Sequence, residues 1–249
     1  MGVPGLTWLG FGVAAGGLLA GTLRAARPPA GPVPDRAEYL RRWSPLHGGY
    51  DPAGSTLTSR WLGLVYRVAR PLAARGVPAD ALTGWGVLVS LAVPVVAGYR
   101  AGWPVLAGFA LAVAGLLDNL DGAVAVLAGR ARGFGYVLDS VADRVSDAAG
   151  VAALWALGAP GWLCVAGGGA SALQEYARAR AGAGGMTELA VLTVFERPTR
   201  IVLTAFLLLG CGLLAGAADH LATAGTAAWA VLGAAALAQL LVTARRRLS

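Results

Sequence analysis

Lysine is absent from the 249-residue chain, and charged residues of both signs make up only 13% of it. All 20 basic side chains are therefore arginines, and the net charge of +7 is set by where they cluster. So few charges beside 57% hydrophobic residues exclude an ordinary soluble domain and give the profile of a polytopic membrane protein. A basic balance can point to nucleic acid. Here the arginines fall between apolar segments rather than on a soluble face, so no nucleic-acid partner is expected. Cysteine is scarce, and Cys164 and Cys211 both lie in apolar runs, where they are expected to pack as small hydrophobes. No strong internal repeat is present.

No basic residue precedes the first apolar run, residues 3–23, while Arg24 and Arg27 follow it. That order excludes a cleaved signal peptide and predicts an N-terminal membrane anchor helix with its start outside. Residues 24–56 hold six prolines (Pro28, Pro29, Pro32, Pro34, Pro45, Pro52) and read as a cytoplasmic linker with one short surface helix over Arg36–Trp43. Residues 57–249 form the main membrane domain. Over 57–70, Leu57, Trp61, Leu64, Val65 and Val68 share one arc and Arg60, Arg67 and Arg70 another, which predicts an interfacial helix that Pro71 ends or kinks, the alternative being a helix packed on protein.

Six spanning segments are predicted at about 80–99, 103–128, 135–157, 160–180, 198–217 and 221–243, an all-α bundle. Arg130 and Arg132, then Arg178, Arg180, Arg197 and Arg200, then Arg245, Arg246 and Arg247 flank one set of ends. The opposite ends carry Arg100, then no charge near Gly158–Pro160, then Asp219 and His220. This asymmetry places the arginine-bearing side in the cytoplasm of a multi-pass cell-membrane protein.

Against this apolar background, residues 118–147 hold five aspartates: Asp118, Asp121, Asp139, Asp143 and Asp147. An ionised aspartate in a spanning helix costs about 2.5–3.5 kcal/mol even on the mild insertion scale. Asp118 and Asp121 are i, i+3, and Asp139 and Asp143 are i, i+4, so each pair shares a helix face. The Gly- and Arg-rich stretch 129–133 lets the two helices run antiparallel, and four carboxylates then converge. Hard oxygen ligands of this kind suit Mg²⁺ or Mn²⁺, and two ions about 3.5–4 Å apart form a clamp for phosphoryl chemistry. Asp147, one turn further on, is expected to pair with Arg144 or another arginine.

Asp118-x2-Asp121-Gly122-x2-Ala125 followed by Gly135-x3-Asp139-x3-Asp143 resembles the signature of the CDP-alcohol phosphatidyltransferase family, D-x2-D-G-x2-A-R-x8-G-x3-D-x3-D. The helix layout extends the likeness over residues 57–243, and the anchor lies outside it. The resemblance implies attack of an alcohol on the β-phosphorus of a CDP-linked lipid with release of CMP. It implies metal ligation by Asp118, Asp121, Asp139 and Asp143, with Asp143 also taking the acceptor's proton, and a homodimer. Gly122 and Gly135 would admit substrate close to the backbone, or else serve helix packing. The family arginine after Ala125 is Val126 here, so Arg130 or Arg132 is expected to supply the charge facing the diphosphate. Asp80-Ala81-Leu82-Thr83 resembles, more weakly, a nucleotide-side turn of the family, the alternative being Asp80 as a helix cap.

Glu196-Arg197-Pro198-Thr199-Arg200 opens the fifth core helix, where two arginines oppose the helix dipole, which an anion nearby would explain, the alternative being lipid head groups or a plain cytoplasmic flank. The stretch resembles the arginine-bearing region of phosphatidylinositol-phosphate synthases, which implies a phosphorylated polyol as acceptor at Arg197 and Arg200. Glu175, Arg178 and Arg180 are secondary candidates. Rival readings are an intramembrane Mg²⁺-dependent prenyltransferase, whose motifs are spaced differently, and a non-enzyme, either a membrane transporter or scaffold or a catalytically degenerate membrane protein disabled at Val126.

Overall fold

The computed structural model describes residues 3–29, 31–46, 49–186 and 192–249, and every regular element among them is a helix. The chain divides into two compact units, Met1–Leu88 with Ala114–Ala142, and Val89–Val113 with Asp143–Ser249. The first contains α1 (Val3–Ala25), α2 (Arg36–Leu46), α3 (Thr56–Ala74), the start of α4 (Ala79–Gly98), the end of α5 (Trp103–Leu127) and the start of α6 (Gly133–Ala156). The second contains the other parts of α4, α5 and α6, with α7 (Gly161–Ala183), α8 (Arg197–Leu213) and α9 (Ala218–Leu248). The six predicted core segments thus appear as α4 to α9, within a few residues at most ends, though α8 stops at Leu213 and α9 runs on to Leu248.

In the first unit, short polar side chains set the helix starts. The Glu38 N–H donates to Asp35 Oδ1 at 2.8 Å at the head of α2, and the Thr58 N–H donates to Ser55 Oγ at 3.3 Å at the head of α3. Leu62, Val65, Ala69 and Ala73 of α3 face inward, while Leu57, Trp61, Leu64 and Val68 are exposed, as are Arg60, Arg67 and Arg70. Val65 therefore belongs to the protein-facing side, not to the outer apolar arc expected of it. Pro71 does not end α3, which runs on to Ala74. Pro71 and Arg67 are both exposed, so the Arg67 carbonyl that loses its helical donor is on an outer face. The unit's core joins Tyr39 of α2 to Val65, Ala69 and Ala73 of α3, Leu82 of α4, and Leu120, Ala123, Val124, Val126 and Leu127 of α5. By contrast α1 buries almost nothing.

In the second unit α7 packs along α9, and glycine permits the approach: a Cβ on Gly167 would meet Ala230 N at 3.2 Å, and one on Gly233 would meet Ala170 Cβ at 3.2 Å. Trp229 lies at the centre of the unit's core, donating its indole N–H to Thr204 Oγ1 at 3.0 Å with Phe195 edge-on at 5.1 Å. The three connections that the charge pattern assigned to one side meet here. Arg100 Nη2 donates to the Leu157 carbonyl at 3.0 Å, and Gly158, at φ +117°, lies against Asp219.

Helices α1, α4 and α5, and α9 with the turn before it, are long and apolar enough to cross a membrane. Helices α6, α7 and α8 carry the charged residues described below. Where α8 meets the start of α5, a Cβ on Gly212 would fall 2.6 Å from Val105 N and Cγ2. Gly212→Ala is therefore expected to destabilise the protein by about 1–3 kcal/mol, read as a lower thermal midpoint of the purified protein in detergent. An unchanged midpoint would mean that the two helices have room to part.

Candidate active site

The end of α5 and the start of α6 are joined by a turn that reverses the chain. The Arg130 N–H donates to the Ala125 carbonyl at 2.9 Å, Gly129 takes φ +62°, and α6 begins at Gly133. This reversal brings the Asp118–Asp121 face of α5 to Asp139 of α6, with carboxylate oxygens of all three within 4.8 Å of one another. Asp118 and Asp139 are half-buried, and Asp121 is 5% exposed. Thr83, buried on α4, donates its hydroxyl to Asp121 Oδ2 at 2.5 Å. Three carboxylates this close could share a cation, and their oxygens are the hard donors that Mg²⁺ and Mn²⁺ prefer. The donor set fits such an ion.

Gly122, next to Asp121, is exposed, and a Cβ there would meet nothing within 4 Å. That leaves helix packing without a role at this glycine. A Cβ on Gly135 would meet only Arg132 Cγ at 3.8 Å. Val126 is 7% exposed and belongs to the apolar core of its unit. The exposed arginines that follow it are both engaged: Arg130 Nη2 donates to the Arg27 carbonyl at 3.3 Å, and Arg132 forms an ion pair with Asp80. Asp80 lies inside the first turn of α4 and holds Arg132, with Thr83 three residues on.

Asp143 is outside the group of three. It belongs to the second unit, where Arg197 Nε lies 2.9 Å from its Oδ1 and Arg144 Nη2 lies 3.8 Å from its Oδ2. That pair opens a wider network in which four carboxylates, Asp143, Asp147, Glu175 and Glu196, face four guanidinium groups, Arg144, Arg178, Arg197 and Arg200. Arg200 has 0% side-chain exposure and lies 3.4 Å from Asp147 and 2.8 Å from Glu175. The anion that the start of α8 calls for is thus supplied by the chain's own carboxylates. Arg200 is enclosed among them and presents no surface to a ligand, contrary to the expectation of direct acceptor contact. Arg197 keeps 15% of its side chain exposed.

Asp147 pairs with Arg144 at 3.3 Å, as its spacing suggested. Glu175 and Arg178, read only as secondary candidates, are network members, while Arg180 is exposed. Sequence reasoning missed how Glu196 is held: it accepts from Thr193 N, Thr193 Oγ1 and Arg178 Nη2, each at 2.7 Å, and Gln174 Nε2 donates to Thr193 Oγ1 at 2.8 Å. Gln174, a fully buried amide in an apolar helix, was the available signal.

Residues 77–243 match the protein family described as CDP-alcohol phosphatidyltransferase. The archaetidylinositol phosphate synthase of Methanothermobacter thermautotrophicus is 36% identical over 154 residues, covering 59% of this chain and 75% of that protein. The synthase of the same name from Pyrococcus horikoshii is 36% identical over 143 residues, covering 55% and 72%. The crystal structure of Mycobacterium tuberculosis phosphatidylinositol phosphate synthase in complex with manganese and citrate superposes with a TM-score of 0.61 at 25% identity, over 73% of this chain and 88% of that one. The same enzyme with CDP-DAG bound gives a TM-score of 0.61 at 25% identity over 72% and 92%.

Thr83 touches Asp121 and orients its carboxylate. Thr83→Val is expected to weaken Mn²⁺ binding about 10-fold, measured by titration calorimetry on the full-length protein, whereas unchanged affinity would show that Asp121 needs no such support. Val126→Arg would put an unpaired guanidinium into an apolar core, and a loss of about 3–5 kcal/mol is expected, read as a lower thermal midpoint.

Proposed function

The chain belongs to the CDP-alcohol phosphatidyltransferase family, and on that premise we propose that this multi-pass membrane protein transfers the phosphatidyl group of a CDP-linked lipid to a phosphorylated polyol and releases CMP. The observation that carries this reading is the gathering of Asp118, Asp121 and Asp139, all at motif positions, within 4.8 Å of one another. The mycobacterial enzyme with CDP-DAG bound supports a CDP-linked lipid as donor. The names of both archaeal relatives and of the mycobacterial enzyme support an inositol phosphate as acceptor.

In this reading Asp118, Asp121 and Asp139 hold one or two divalent ions, Mg²⁺ or Mn²⁺, with Asp143 as a further ligand. An ion held there would neutralise the diphosphate charge and would acidify the attacking hydroxyl. Gly122 lets the nucleotide lie close to α5, since nothing fills the space where its Cβ would be. Gly135 serves the same approach from α6. Asp80 and Thr83 support the nucleotide side, the first through Arg132 and the second through Asp121. Arg130 and Arg132 face the diphosphate in place of the arginine that Val126 replaces. Arg130 is the readier of the two, because in this structure it holds a neutral carbonyl rather than a carboxylate.

The acceptor oxygen attacks the β-phosphorus, its proton passes to Asp143, and the bond between the β-phosphorus and the bridging oxygen breaks, with CMP leaving. Arg197 bridges the acceptor phosphate and Asp143, and Arg200 fixes Asp147 and Glu175 behind it. A groove of about 660 Å³ along α6 and α7, with Arg144, Asp147 and Ser171 at its polar end, offers a hydrocarbon chain a place beside this network. The arginine-bearing connections, and the site with them, face the cytoplasm.

The test is incubation of the full-length protein with CDP-diacylglycerol, Mn²⁺ or Mg²⁺, and a panel of inositol 1-phosphate, glycerol 3-phosphate and unphosphorylated inositol. Metal-dependent CMP release with a phosphatidylinositol phosphate product is expected. Release of pyrophosphate from a prenyl diphosphate would establish a prenyltransferase instead, and no CMP under any condition would end the reading. Asp143→Asn is expected to lower kcat about 10²–10⁴-fold, so turnover within a factor of two of the parent would remove Asp143 as the base.

A further inference from the structure

The family match begins at residue 77, yet a segment well before it reaches into the first unit's core and to the arginine turn. The Arg27 N–H donates to the Gly76 carbonyl at 3.0 Å, and the Arg27 carbonyl accepts from Arg130 Nη2 at 3.3 Å. One residue of the N-terminal segment therefore bridges the turn before α4 and the turn between α5 and α6. Gly76 is built for that crossing. It is buried at φ +73°, and a Cβ there would fall 2.0 Å from the Arg27 carbonyl carbon, so only glycine lets the two backbones meet.

Further along, the Tyr66 hydroxyl donates to the Pro34 carbonyl at 3.1 Å, and Arg36 donates to the Ser59 carbonyl and hydroxyl, each at 3.1 Å. Val33, Tyr39, Leu40 and Trp43 then enter the same apolar core that contains Val126. Valine at 126 and the docked segment are thus parts of one arrangement. The segment helps close the core in which a motif arginine would stand, and it holds the next arginine of the turn by a backbone carbonyl.

We propose that the segment from Arg27 to Trp43 is a strap belonging to the donor site, and that the Arg27 carbonyl, seated on Gly76, is a positioning group that sets the Arg130 guanidinium for the CDP-lipid diphosphate. This rests on the reading that Arg130 contacts the diphosphate. A carbonyl suits the task, because it orients a guanidinium without neutralising it, and an incoming dianion outcompetes it for the same donors. An aspartate in its place would hold the cation as Asp80 holds Arg132.

The experiment measures the Kd for CDP-diacylglycerol with Mn²⁺ present, together with KM and kcat, on the full-length protein in detergent. Gly76→Ala displaces the strap. Gly49→Ala imposes similar backbone strain at φ +79° with nothing within 4 Å of the new Cβ, and serves as the control. Tyr66→Phe removes only the second tether and imposes no strain, so it decides the matter if Gly76→Ala does not fold. Gly76→Ala is expected to raise Kd and KM about five-fold and Tyr66→Phe about two-fold, with kcat within a factor of two and Gly49→Ala like the parent. In combination with Arg130→Ala neither is expected to add a further increase, because both act through that side chain.

Strap variants that bind donor like the control, or effects that add in full to Arg130→Ala, overturn the proposal while leaving Arg130 as a diphosphate ligand. If Arg130→Ala itself binds donor like the parent, that ligand role falls and the strap falls with it. The donor affinity is read without turnover, so neither result depends on the identity of the acceptor.

Discussion

A carboxylate placed in a helix of a hydrocarbon layer has to be met by positive charge, since water is not there to do it. This chain meets the requirement in two ways. In the first unit, Asp118, Asp121 and Asp139 bring carboxylate oxygens within 4.8 Å of one another, an arrangement that suits a divalent ion. In the second unit four carboxylates face four guanidinium groups, so the charges of the network meet one another. One chain thus carries a carboxylate cluster suited to a metal and a network of paired charges that fixes side chains.

The absence of lysine has a physical counterpart in the second network. A guanidinium presents its donors as a planar fork and is more weakly hydrated than an ammonium, so it loses less on burial between two carboxylates. Arg200 is the extreme case, fully enclosed between Asp147 and Glu175. Buried ion pairs of this sort give little net stability but make the loss of one partner severe. Their effect here is to hold α6, α7 and the start of α8 in one register around Asp143 and Arg197.

Much of this was legible in the residues. The apolar runs gave the helices α4 to α9, of which α4, α5 and α9 are long and apolar enough to cross a membrane, and of the four carboxylates expected to converge, Asp118, Asp121 and Asp139 do so because helical periodicity and one turn determine it. The places where sequence reasoning fell short have a common cause: they depend on which side of an element a neighbour covers. Pro71 was expected to end or kink its helix, and α3 does not end there, because the carbonyl it frees is on an exposed face. Val65 was assigned to the outer arc and packs inward. Arg200 was expected to face a ligand, and partners more than twenty residues away on α6 and α7 enclose it. The docking at Arg27 and Pro34 left no periodic trace, because it is made by backbone groups and by a glycine whose φ no pattern reveals.

The lengths of the last two helices differ more than their common neighbourhood would suggest. α8 has 17 residues and α9 has 31. At 1.5 Å per residue these are about 25 Å and 46 Å, against a hydrocarbon thickness of about 30 Å. Of the two, α9 with the turn before it is long and apolar enough to cross a membrane, and a helix with that much length to spare tilts or carries its end clear of the hydrocarbon. Arg245, Arg246 and Arg247 stand at its far end, where the surplus length carries those three charges out of the apolar layer.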